Sequence, residues 1–244
     1  MLRLLFRRQP SRETAIAAAA GLAAIGLSLL MIPLARWPWA EIVVRDLGQV
    51  WLLGFVFPLL SISRDRGGFA EFGLHARRWP LFLAINLALA IGLYFQFRAA
   101  GPPPADFRWD AATIWKAAYV VLAVTFECLF FYAFLRTLFE RAFGAVAGIV
   151  LAAAFYTFHH AGFQPEFAKL FLVGVMYATV IRLANSALVI WPFFLGVGGV
   201  YDVLLKSKVV SAIHYPEIRT VGLAALMTLA VLWIARYRRS QQGG

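Results

Sequence analysis

Apolar runs recur along almost the whole of this chain, at roughly the 17–25 residues an α-helix needs to cross about 30 Å of hydrocarbon. Eight can be marked, near residues 14–35, 47–63, 80–98, 113–138, 142–160, 165–184, 186–205 and 217–236. The second is short, and the boundary between the sixth and seventh is soft. With 62% hydrophobic and 14% charged residues, the 244-residue chain has more apolar surface than one soluble core can cover, so the excess faces lipid. The expected fold is all-α: a polytopic transmembrane helical bundle of about eight spanning helices, forming a single integral membrane domain over residues 1–244. The longest polar connections, 64–79, 99–112 and 206–216, leave no room for a soluble domain between spans.

The formal net charge of +11 would suggest nucleic acid in a soluble chain. Here the Arg and Lys residues sit in short loops between apolar runs, where they set topology and meet anionic lipid headgroups, so no nucleic-acid partner is expected. An even number of spans puts both termini on one side. With the N-terminus in the cytoplasm, fourteen of the 23 Lys and Arg residues fall on that side and nine on the other, which favours this orientation. The expected location is the cytoplasmic membrane of a prokaryote. Trp37, Trp39, Trp79, Trp109 and Trp115 lie near span ends, as interface anchors do. The first apolar run is too long for a signal-peptide core and reads as a first spanning helix. A single cysteine, Cys128, excludes an intrachain disulfide and a zinc–thiolate cluster.

Ionisable groups inside spans are costly, and each is therefore a functional candidate. They are Glu127 in the fourth run, His159 and His160 at the end of the fifth, and Asp202 in the seventh. The fourth and fifth runs are joined by FERAFG, a tight turn, and should form an antiparallel hairpin. Residues 127 and 159 lie equally far from Phe143, each about 22–24 Å along its helix at roughly 1.5 Å per residue. The hairpin thus brings Glu127 and His159 level, in the outer half of the bilayer. Arg136 is then slightly submerged and can pair with Glu140 one turn on or snorkel. His160, followed at once by the turn HHAGFQPE, reads as an interfacial residue.

A carboxylate in a low-dielectric site is suited to general-base work, and a neutral imidazole can orient a water, stabilise an oxyanion or bind a metal. Together they can activate water against an amide. The same pair can also be a Glu–His hydrogen bond that only locks two helices, or part of a proton relay in a small transporter subunit. Against the relay, the charged positions are few, and no paired broken helices of the transporter kind are visible.

Several segments resemble the CPBP family of intramembrane proteases, which includes the type II CAAX prenyl endopeptidases. FAEFGLHARRW (69–79) is similar to the family's amphipathic connector, ECLFFYAFLRTLFERAFG to its EExxxR block, and FYTFH (155–159) to its FxxxH motif. NSALVIWPFFLGVGGVYD is similar to the third motif region, and the likeness covers roughly residues 40–205. The resemblance implies that Glu127 is the general base and that His159 holds the attacking water or a metal. It also shows departures. The second Glu is Cys128, the motif Arg is Tyr132, the third-motif His falls at Gly196 and the Asn near Val200. Tyr132, His160, Tyr201 and Asp202 are the possible auxiliary groups. Asp202, about 240° round the helix from Gly196, is expected to face the outer interface near Lys206. A divalent metal such as zinc is possible but not demanded, with His159 and Glu127 as the ligands if there is one. The function this implies is a membrane-embedded endopeptidase acting on a membrane-associated polypeptide. The alternatives are a catalytically degenerate pseudoprotease of the same fold and the proton-coupled transporter subunit.

Overall fold

The computed structural model describes residues 5–103, 107–161, 166–206 and 213–242. Parts of the 99–112 and 206–216 connections, and of the turn after His160, lie outside the described residues. Eight principal helices follow one another: α1 (Arg12–Leu34), α2 (Pro38–Arg64), α3 (Trp79–Ala99), α4 (Ala111–Phe143), α5 (Ala145–Phe158), α6 (Phe167–Ala184), α7 (Phe193–Leu205) and α8 (Pro216–Gln242). No strand occurs among the described residues, and the all-α membrane bundle holds.

The number of spans differs from expectation. Six helices, α1–α4, α6 and α8, are long and apolar enough to cross a membrane, whereas α5 and α7 are shorter apolar helices of 10–17 residues. At about 1.5 Å per residue, the 14 residues of α5 reach only about 21 Å. Apolar composition marks burial in protein as readily as burial in lipid, which is why these two runs read as spans. The second run, short in the sequence, is part of a 27-residue helix, and the fourth extends to 33 residues.

Helix ends follow local chemistry. Ser11 caps α1, its hydroxyl accepting from Thr14 N–H while Thr14 Oγ1 accepts from Ser11 N–H. Asp110 caps α4 in the same way, accepting from Thr113 N–H at 2.8 Å; these bonds hold its carboxyl below the usual carboxylate range. Pro38 and Pro80 sit in the first turns of α2 and α3, where a missing N–H costs nothing. Gly144, at φ +91°, separates α4 from α5 in a conformation that a side chain would strain.

Helix α4 is the centre of the bundle. Its most apolar window is 78% buried, against 11–39% for the other spans, so it is hydrophobic all round and packed on all sides by protein. Against it α5 returns antiparallel, as the hairpin argument requires. Gly148 makes the close approach possible: a Cβ there would lie 2.8–2.9 Å from Glu140. The Gly144-to-Gly148 spacing therefore serves a contact within the chain. Glu140 itself binds Arg136 at 2.8 Å, the expected i, i+4 pair, and Arg182 at 2.9 Å.

Contacts at one end of the bundle bring both ends of the described chain together. Arg7 and Gln9 donate their backbone N–H groups to Phe143 and Ala142 carbonyls, and Arg7 Nε donates to Glu140 O. Arg141 grips Asp65 through both terminal nitrogens at 2.6 and 2.8 Å and Glu71 at 2.7 Å. The Arg141 bond holds the Asp65 carboxyl below its ordinary range. Arg64 lies over the Tyr237 ring and Arg238 over Phe69.

A second polar cluster ties α2, α4 and α8 inside the bundle. Arg219 binds Asp46 through two nitrogens at 2.6 and 2.8 Å, Glu41 at 2.6 Å and the Tyr119 hydroxyl at 2.6 Å. Tyr119 in turn donates to Asp46 at 2.5 Å. Both charges of the pair are buried, and each is met by an opposite charge and further hydrogen bonds.

Candidate functional site

Glu127 ends the regularly wound part of α4. From Cys128 to Leu135 the helix winds wider, with hydrogen bonds reaching one residue farther. Such insertions re-aim side chains and concentrate at functional sites. His159 follows the last residue of α5 as its C-terminal cap. The two meet as the hairpin predicts: His159 Nε2 lies 3.7 Å from Glu127 Oε1.

His160 joins them, correcting its expected interfacial place. It is 5% exposed, and its Nε2 lies 3.8 Å from the same Glu127 oxygen. The cause is the Tyr156 carbonyl, which both imidazoles reach through Nδ1, at 2.5 Å for His159 and 2.8 Å for His160. A carbonyl only accepts, so each Nδ1 carries the proton and each Nε2 of a neutral ring presents its lone pair. Glu127, His159 and His160 together offer three ligand atoms within 4.8 Å of one another. Two imidazole nitrogens and one carboxylate oxygen are a donor set that suits a divalent metal such as zinc with a position left for water. His160 supplies the second nitrogen of that set.

The triad lies on the wall of a cavity of about 560 Å³ bounded by α2, α3, α4, α6 and α7 as well as the hairpin. Most of the wall is apolar, from residues such as Leu93, Val120, Val124 and Val173. Its polar exceptions include Arg45, Lys169 and Asp202. Asp202 therefore corrects another expectation: it lines the cavity and accepts from Lys169 Nζ at 3.1 Å, rather than facing the outer interface. The wider winding that begins at Tyr201 supplies the local change of pitch that Asp202 needed to turn inward. Lys169, also bonded to Glu166 at 3.0 Å, and Arg45 escaped the sequence reading. Both sit near the ends of apolar runs, where a basic residue reads as a topology signal.

The remaining auxiliary candidates stand off the cavity. Tyr201 stacks on Phe97 at 4.1 Å between ring centroids and donates to the Phe97 carbonyl. Tyr132 is wholly buried behind the wall, with its ring against Tyr156 and Tyr177. The glycines at the third-motif position divide. A Cβ on Gly199 would come within 2.8 Å of Val124, so this face closes on α4, while Gly198 and Gly199 also line the cavity. No family model, no curated protein and no solved structure matches this chain.

Proposed function

We propose that this chain is a membrane-embedded endopeptidase in which Glu127 takes a proton from a water that attacks a peptide carbonyl. The observation that carries the reading is the convergence of Glu127, His159 and His160 on the wall of a mostly apolar cavity. His159 and His160, held by one carbonyl, present acceptor nitrogens, one of which can hold one hydrogen of the water while the other hydrogen points to Glu127. A divalent metal held by His159, His160 and Glu127 would make its bound water more acidic and polarise the carbonyl. Glu127, having taken the proton, can deliver it to the leaving amine. The apolar wall suits a polypeptide segment in or next to the membrane as the substrate. A protein of the cytoplasmic membrane of a prokaryote, with both termini in the cytoplasm, agrees with the charge asymmetry.

The second reading is a pseudoprotease that binds such segments without cutting them. Its support is the position of Tyr132, which stands behind the wall where the resembling motif has an Arg.

The test is reconstitution of purified protein with a membrane-tethered reporter, comparing wild type, Glu127→Gln, His159→Ala and His160→Ala. Cleavage should fall by about 10²–10⁴-fold in the Glu127 variant. Equal cleavage by all four overturns the catalytic reading. Photocrosslinking to the reporter with no cleavage by any of them favours the binding reading. Accessibility of single cysteines placed near Arg7 and Tyr237 checks the sidedness.

A further inference from the structure

On the opposite side of α4 from the triad lies a second cavity, of about 420 Å³. Thr125, Cys128 and Leu129 of α4 form its floor, so it is back to back with the wall that carries Glu127. The other sides come from α2, from α8 through Val231, and from the segment Gly73–Ala76 that leads into α3. Its lining is almost wholly apolar, and Trp191 spends its indole N–H on Thr125 Oγ1 at 3.1 Å. Val231 is 48% exposed on a spanning helix, so the cavity opens sideways toward lipid.

One end of this cavity is basic. Phe69 lines it, and the Arg238 guanidinium lies over the Phe69 ring, 5.0 Å from its centroid. Arg238 is seven residues past Val231, two helical turns along and on nearly the same face. Arg77 and Arg78 follow the lining residue Ala76 directly, are exposed, and precede Trp79, an exposed tryptophan at the start of α3. The wall between them is fixed. His75 Nε2 meets the Asn185 carbonyl at 2.8 Å, so it carries the proton, and His75 Nδ1 accepts from Arg77 N–H at 3.2 Å. His75 is thereby a neutral strut that sets where the arginines emerge.

We infer that this cavity binds a phospholipid with an anionic headgroup, one acyl chain lying along the apolar lining and the phosphate meeting Arg238, Arg77 and Arg78. An apolar slot with a lateral opening and a cationic end matches that amphiphile in both halves. Basic pockets between membrane helices take anionic headgroups for this reason. The volume lies within the range of small-molecule sites.

Native mass spectrometry of the full chain in mild detergent tests the inference, with phosphatidylglycerol and phosphatidylcholine of identical acyl chains and with glycerol 3-phosphate. One phosphatidylglycerol should be retained in preference to phosphatidylcholine. Arg238→Ala and Arg77→Ala should each weaken it about fivefold, the effect of one basic residue near an anionic headgroup. Val231→Trp, facing lipid and harmless to the core, should weaken both lipids alike. Equal retention of the two lipids overturns the charge match, and so does indifference to both arginine variants. Competition by glycerol 3-phosphate as strong as by the lipid shows a bare phosphate site and overturns the acyl slot. Dimers that Val231→Trp abolishes, with no lipid adduct, show a second copy as the occupant and overturn the inference.

Discussion

The Arg219 cluster and the Glu127 cluster are both buried in the same bundle, yet they are built to opposite plans. Around Arg219 the contacts with Asp46, Glu41 and Tyr119 are 2.5–2.8 Å, and cation, carboxylates and phenol satisfy one another. Around Glu127 the imidazoles stand at 3.7 and 3.8 Å, beyond direct hydrogen bonding, and a cavity adjoins them. A closed network holds helices together. One that adjoins a cavity leaves room for a reacting atom.

Four experiments press on that contrast. The largest effect expected is the loss of cleavage in Glu127→Gln, with an unfolding midpoint in detergent close to wild type; a midpoint that collapses would make the triad a structural lock instead. Next is Arg219→Leu, which leaves Asp46 buried without its cation and should destabilise by about 3–5 kcal/mol, read as reduced folded yield and earlier unfolding. Little change there would erase the distinction between the clusters. Gly148→Leu comes third, costing about 1–3 kcal/mol through overpacking against Glu140. Because it shifts α5 on α4, it should also reduce cleavage, while a Gly26→Leu control, with open space around it and away from the cavity, should leave both readouts alone. The smallest effect is that of pH on the Asp65–Arg141 clasp. The folded-state pKa of Asp65 is depressed, so its contribution is present above the ordinary carboxylate value and is lost as pH falls through the lower folded value. Unfolding midpoints measured from pH 6 down to pH 3 should fall less steeply for Asp65→Asn than for wild type.

What was legible in the sequence was whatever helical arithmetic governs. The turn FERAFG and sixteen residues on either side of Phe143 suffice to bring Glu127 to His159. His160 reads as interfacial because a turn follows it at once, whereas the end of α5 lets both rings turn to one carbonyl. Asp202 was misjudged for a related reason, since a change of pitch at Tyr201 is invisible in composition. Lys169 and Arg45 belong to the cavity only through tertiary packing, and α5 and α7 read as spans because their apolar runs do not reveal how much of each is helix.

The N-terminal segment crosses the turn of the α4–α5 hairpin so closely that a Cβ on Gly144 would meet the Leu5 carbonyl at 2.4 Å. Whatever is joined to that segment therefore crowds the turn of the hairpin whose far end, about 24 Å away, carries the acid and the imidazoles. Fusion partners and affinity labels belong at the other terminus.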